Sequence, residues 1–169
     1  LEVELAKGEF DIIDIRDVLK SVMEVTKTNI TKRMNVDINL KLPKNKIETL
    51  GIGDRIAQVF YNLIDNALSF SKEGSVIDII ATTTENEAII EIKDHGPGIP
   101  KENLGKIFER FYTYRPEEKS FGNNSGLGLS ICKQIIKSLN GTIIATNRLE
   151  GGSVFTVTLP LNKDRKRKK

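Results

Sequence analysis

Short runs of alternating apolar residues, separated by stretches with apolar residues at helical spacing, predict an α/β protein in which helices pack on one face of a mixed sheet. The runs follow the order β-α-β-β-α-β-β-loop-α-β-β, which lacks the strict alternation of a doubly wound parallel sheet and therefore argues for mixed pairing. The 169 residues suit one domain, with 38% hydrophobic residues to build a core and 29% charged residues to cover it.

Residues 1–9 are short and mixed, and read as the end of a linker or of a preceding helix. The ordered pattern begins at Phe10, with an apolar segment to Ile13. Asp14 follows as the cap of a helix carrying Val18, Leu19, Val22 and Val25 or Thr26. Val36, Ile38, Leu40 and Leu42 alternate as a strand that Pro43 ends. After a brief segment from Ile47 to Ile52 comes the strongest helix, over 54–69. Its Ile56, Val59, Phe60, Leu63, Ile64, Ala67 and Leu68 recur at steps of three and four. Two strands, Val76 to Thr83 and Ala88 to Lys93, are joined by the polar turn TENE, and the second ends at DHGPGIP. Residues 112–125 show no sustained apolar period and are expected to form a mobile flap. Leu127 to Leu139 form a helix stopped by Asn140 and Gly141. Strands Thr142 to Thr146 and Ser153 to Leu159 close the domain around the turn RLEGG.

No apolar run approaches the roughly 20 residues that span a bilayer, and LEVELAKGEF has neither the basic start nor the apolar stretch of a signal peptide. The chain is expected to be cytosolic in character. It opens with Leu, which fits a piece of a longer polypeptide. The single Cys132 allows no internal disulfide and no cysteine-based metal cluster. Of the formal charge of +3, residues 163–169 alone carry +5, so the rest of the chain is slightly acidic. That basic tail reads as a solvated end rather than a nucleic-acid contact, and no nucleic-acid partner is expected.

Within the strong helix, Asn62 and Asn66 stand four apart on one face, away from the apolar stripe. Two solvated asparagines are the plain alternative. Asn is nevertheless a poor helix former, and its neutral carbonyl oxygen suits a hard cation such as Mg²⁺ beside a phosphate. Asp94 has the parity of the core-facing Ala88, Ile90 and Ile92, so its carboxylate points inward and needs a donor. That donor is either a backbone N–H of the glycine turn or the exocyclic amine of a purine. Gly96 and Gly98 permit close approach. His95, the sole histidine, reads as a turn residue. Gly122, Gly126 and Gly128 lead into a helix N-terminus, where free N–H groups attract an anion, most naturally a phosphate; helix capping is the alternative. No Gly-Lys-Ser/Thr of a P-loop and no GxGxxG is present there.

The segments NLIDNALSFS, DHGPGIP, FERFY and GNNSGLGLSI, in this order and spacing, resemble the N, G1, F and G2 boxes of the ATP-binding catalytic domain of sensor histidine kinases. NALSFS, RFYTYRPE and NNSGLGLS are similar to the ChvG-like branch of alphaproteobacterial sensor kinases. The resemblance covers about Phe10 to Leu161 and implies a two-layer α/β sandwich of the Bergerat type. It implies ATP and Mg²⁺, with Asn66 as metal ligand, Asn62 supporting the phosphate and metal end, and Asp94 accepting from the adenine amine. It further implies that Gly96, Gly98 and Ile99 shape the adenine pocket and that Gly126, Leu127, Gly128 and Leu129 line the phosphate end. Phe108 and Phe111 would anchor the base of the flap, and Arg110 or Arg115 would meet the γ-phosphate. Two positions depart from the family pattern: Ser69 and Thr113 stand where a basic residue and an Arg are common, so neutralisation falls to Arg115, Lys72 or Lys119.

On this reading the γ-phosphoryl passes to a histidine on a separate dimerisation domain, and then to a response regulator. The parent protein is a homodimer anchored in the bacterial inner membrane, with this domain in the cytoplasm. One rival is an ATP-hydrolysing relative resembling DNA gyrase or MutL, whose Glu base would stand where Asn62 does. Another is a non-catalytic nucleotide- or nucleic-acid-binding module using the basic tail.

Overall fold

Asp14 fixes where the first helix begins. In the computed structural model, which describes residues 8–28, 35–112 and 128–163, strand β1 (Asp11–Asp14) runs directly into helix α1 (Ile15–Thr26). The Asp14 side chain accepts from the Arg16 N–H at 3.1 Å, satisfying one of the helix's open donors, and pairs with the Arg16 guanidinium at 2.9 Å. Burial pushes the Asp14 carboxyl up. The Arg16 side chain and the N–H groups of Arg16 and Ile47 outweigh that effect and hold it below its ordinary value. Ile15, Leu19, Val22 and Met23 are buried; Thr26 completes the stripe by donating its hydroxyl to the Val22 carbonyl, and Val25 faces outward.

Strands β2 (Asp37–Lys41) and β3 (Glu48–Gly51) precede helix α2 (Gly53–Phe70), whose seven buried residues are those the periodicity predicts. Strands β4 (Val76–Thr83) and β5 (Glu87–Lys93) form a hairpin, a short 3₁₀ turn covers Lys101–Asn103, and helix α3 (Gly128–Ser138) leads into β6 (Thr142–Asn147) and β7 (Ser153–Pro160). Phe10 lies just before β1 and is exposed, so the first strand starts one residue later than its apolar pattern suggests.

Five strands form one sheet in the order β2-β4-β5-β7-β6, with β2 parallel to β4 and every other pair antiparallel. The mixed sheet is therefore as expected. Its inward residues, among them Ile77, Ile79, Ile90, Ile92, Phe155 and Val157, are fully buried and share one core with the helices. In that layer α2 packs beside both α1 and α3. β1 and β3 pair separately as a two-stranded ribbon, a feature the sequence pattern does not signal. The ribbon is tied to the main sheet by the Thr49 hydroxyl on the Pro160 carbonyl and by the Asn162 N–H on the Glu48 carbonyl, each at 2.8 Å.

Candidate functional site

β5 delivers Asp94 to the end of the sheet. The pairing of β5 with β7 continues one residue past the strand, the Asp94 N–H donating to the Ser153 carbonyl at 3.0 Å, so the carboxylate keeps the inward parity of Ile90 and Ile92. Asp94 is 2% exposed. Oδ1 accepts from the N–H groups of Gly96 at 2.9 Å and Ser153 at 3.2 Å, and Oδ2 accepts from the Ser153 hydroxyl at 2.6 Å. A carboxylate has about four acceptor positions, so one remains for an outside donor. The glycine-turn N–H anticipated as a partner is present. Ser153, the stronger partner, was not foreseen; it lies 59 positions away, and only the β5–β7 register brings it there.

The turn after Asp94 fits between two neighbours. A Cβ on Gly96 would lie 2.7 Å from the Phe70 carbonyl oxygen at the end of α2, which sets how closely the turn approaches the helix. On the other side, Gly152 has φ +96°, and a Cβ there would lie 2.0 Å from the Asp94 carbonyl oxygen. Gly98 lies over Asn147, whose side-chain amide accepts from the Ile99 N–H at 2.8 Å and donates to the Ile99 carbonyl at 2.6 Å. Asn147 thus imitates one step of a strand, and Ile99 packs half-buried on the core. The β6–β7 hairpin, carrying Asn147, Arg148, Gly152 and Ser153, is the part of the site that reasoning from sequence missed. Its one visible signal was the double glycine in RLEGG.

Across the pocket, Asn62 and Asn66 lie on α2 and both are half-buried rather than fully outward. The Asn62 amide donates to the Gly128 carbonyl at 3.3 Å, tying α2 to the first turn of α3. Asn66, one turn further, has no side-chain partner among the described residues. Cys132, beneath them, is buried against the Val59 carbonyl, and burial pushes its thiol up to about 12, partly opposed by a hydrogen bond with Asn62; it is packing, not a nucleophile. Leu129 packs half-buried on the core.

Phe108 packs edge-on against Phe155, with ring centroids 6.1 Å apart, and Lys133 lies over its ring at 5.7 Å. Phe111 is different: it is 71% exposed with a left-handed backbone, φ 62°, so among the described residues Phe108 packs on the core and Phe111 does not. Arg110 and Lys72 are exposed. Arg115, Lys119, Gly122, Gly126 and Leu127, with most of the expected flap, lie outside the described residues. Among the described residues no group of three or more His, Cys, Asp or Glu could hold a metal ion, and no helix among them is long and apolar enough to cross a membrane.

A mixed five-stranded sheet under one layer of helices, an inward aspartate after its third strand and an asparagine-bearing helix tied through Asn62 to the start of another helix define a two-layer α/β domain with polar groups gathered at one end of the sheet. The chain belongs to the histidine kinase-, DNA gyrase B- and HSP90-like ATPase family, whose model matches residues 51–163. It is 36% identical over 171 residues to the sensor protein ChvG of Agrobacterium fabrum, an alignment covering 95% of this chain and 29% of that protein. It therefore spans under a third of the length of that relative. Among solved structures it is similar to the catalytic domain of histidine kinase ThkA, with a TM-score of 0.79 and 28% identity over 90% of this chain and 96% of the other. It is likewise similar to ThkA in complex with response regulator protein TrrA, with a TM-score of 0.77 and 27% identity over 97% of this chain and 46% of the other. These likenesses are to sensor histidine kinases within the family.

Proposed function

We propose that this chain is the ATP-binding catalytic domain of a sensor histidine kinase. It holds Mg-ATP and presents the γ-phosphoryl group to a histidine on a separate helical dimerisation domain, from which it passes to a response regulator. The observation that carries this is Asp94: a buried carboxylate, oriented by Ser153 and Gly96, with acceptor capacity left for one donor such as the adenine amine. The residues at the other end fit a metal-bound triphosphate. The amide oxygen of Asn66, which has no partner among the described residues, suits Mg²⁺, and Asn62 braces the start of α3, where backbone N–H groups of Gly126, Leu127 and Gly128 would meet phosphate. Mg²⁺ when bound would offset charge on the phosphate oxygens. Arg115 is the proposed cation at the γ-phosphate.

The work of this chain is positioning and charge stabilisation rather than proton abstraction. Asn62 cannot act as a base, and its amide is engaged with the Gly128 carbonyl, which disfavours a fast ATPase. The domain spans 10–161, with 1–9 ending a linker from the dimerisation helix and 162–169 forming a basic tail. The parent protein is a homodimer anchored in the bacterial inner membrane, with this domain on the cytoplasmic side. Likeness to the sensor protein ChvG and to histidine kinase ThkA in complex with response regulator protein TrrA supports the kinase and response-regulator parts of this reading.

His95 is the sole histidine and belongs to the turn after Asp94, so the isolated chain should bind ATP without labelling itself. The test is incubation with γ-labelled Mg-ATP, alone and with the parent protein's histidine-bearing helical domain. Acid-labile label on the added domain only is the expected result. Label on this chain, or brisk steady-state hydrolysis, would overturn the proposal.

A further inference from the structure

The ladder between β5 and β7 changes partners at Asp94. The Asp94 N–H donates to the Ser153 carbonyl at 3.0 Å, one step past the last paired residues of the two strands. In an antiparallel pair of this kind the return bond runs from the opposite N–H to the carbonyl of the first residue. Here the Ser153 N–H donates instead to Oδ1 of the Asp94 side chain, at 3.2 Å. The carboxylate gains a backbone donor by that exchange, and the Asp94 carbonyl is left without a strand partner.

Arg148 supplies the missing donor. Its Nη1 donates to the Asp94 carbonyl at 3.2 Å, the one donor to that oxygen among the described residues. Nη1 also lies 3.1 Å from Nδ1 and 3.0 Å from Nε2 of His95, so it stacks over the imidazole face and bonds to neither ring nitrogen. The Arg148 backbone is fixed as well: its N–H donates to the Gly152 carbonyl at 2.9 Å, and its carbonyl accepts from the Gly151 N–H at 3.2 Å, closing the β6–β7 hairpin. The side chain is 18% exposed, whereas Glu150, 3.9 Å away, is 86% exposed, so the turn and not the surface ion pair orders the guanidinium. Asp94 is buried, and a buried carbonyl without a donor is costly. With the guanidinium gone, the donor the ladder itself offers is the Ser153 N–H, which the carbonyl would take from the carboxylate.

We propose that Arg148 is a positioning residue for base recognition. By occupying the Asp94 carbonyl it commits the Ser153 N–H to the carboxylate, and so fixes the plane in which Asp94 meets the exocyclic amine of adenine. The inference rests on the reading of the pocket as an ATP site, and it makes a residue behind the recognising carboxylate a determinant of which base is taken.

The experiment compares the 169-residue chain with Arg148→Met and Arg148→Ala. Met keeps most of the apolar stem without the donors, and thermal melts establish that each variant is folded. Mg-ADP and Mg-IDP binding are measured by calorimetry, since the inosine base carries a carbonyl oxygen where adenine carries its amine. The intact chain should favour Mg-ADP about a hundredfold, the scale of a charged hydrogen bond replaced by two facing acceptors. In both Arg148 variants that preference should narrow about fivefold, through weaker Mg-ADP binding with Mg-IDP binding almost unchanged. A merely structural loss would weaken both nucleotides alike and leave their ratio intact. Crystal structures without nucleotide should show the Ser153 N–H on Oδ1 in the intact chain and on the Asp94 carbonyl in the variants. An unchanged preference in the Arg148 variants, or a Ser153 N–H still on Oδ1 in their crystals, would overturn the proposal. If the Ser153 N–H changes partner while the intact chain takes both nucleotides equally, or neither, the reading of the pocket as an adenine site fails and the hold of Arg148 on Asp94 stands.

Discussion

The two ends of the candidate site are built on opposite terms. At the Asp94 end, one carboxylate accepts three hydrogen bonds, a side-chain amide pairs with both backbone groups of Ile99, and two glycines leave no space for a methyl group. At the asparagine end, the Asn62 amide meets the Gly128 carbonyl at 3.3 Å and the Cys132 thiol, and Asn66 makes no side-chain bond among the described residues. A rigid carboxylate can select a base by geometry. A polar group without a partner in the fold is one that a ligand can take up. Changes at the first end should therefore damage fold and binding together, and changes at the second should damage function alone.

The largest expected loss of stability follows Gly152→Ala. The new Cβ would meet the Asp94 carbonyl oxygen at 2.0 Å on a backbone with φ +96°, and backbone on both sides prevents relief. A loss of about 4 kcal/mol is expected, near the upper end for single substitutions, measured by urea unfolding. A loss under about 1 kcal/mol would show that the hairpin is loose at this end after all. Asp94→Asn comes next. An amide there turns one acceptor into a donor, in place of a carboxylate that accepts from the Ser153 hydroxyl and, on the proposed reading, from the adenine amine, so Mg-ATP affinity should fall about a hundredfold, with a smaller loss of stability. A variant ending at Asn162 should keep intact affinity; a calorimetric loss in that variant would favour the basic tail as the binding element instead.

Which parts were legible in the sequence divides along the same line. The α2 stripe, the Asp14 cap, the inward parity of Asp94 and the Asn140-Gly141 stop each depend on residues within about one or two helical turns, and each is present as predicted. The asparagine pair was legible for the same reason, since a spacing of four fixes a shared helix face. The clamp on the Asp94 turn was not. Ser153 and Asn147 reach Asp94 and Ile99 only because β7 pairs with β5 across some 60 residues, and no local pattern encodes that pairing. The β1–β3 ribbon escaped notice for the same reason, as two four-residue strands joined across a helix and another strand. Phe111 shows the opposite limit: its motif suggested an anchor, yet its backbone turns it outward.

Asn147→Ala tests whether the clamp, rather than Asp94 alone, makes the first end rigid. The substitution removes an acceptor from the Ile99 N–H and a donor from its carbonyl, and solvent can replace both only in part. A stability loss of about 2 kcal/mol is expected, together with faster hydrogen exchange at the Ile99 amide. Unchanged exchange there would mean that Gly98 and Ile99 hold their conformation without the hairpin.

The smallest expected change in stability has the opposite sign. Asn66 is half-buried on α2 and makes no side-chain hydrogen bond among the described residues, so Asn66→Ala breaks no hydrogen bond among them and puts the best helix former in place of a poor one. The unfolding free energy should rise by about 0.5 kcal/mol. Phosphotransfer from Mg-ATP to the histidine-bearing domain should be lost in the same protein, because the proposed metal ligand is gone. That pairing of a firmer fold with a failed reaction is the expected signature of a residue kept for its ligand. A variant that is both less stable and still active would place Asn66 with the structural residues and erase the contrast between the two ends.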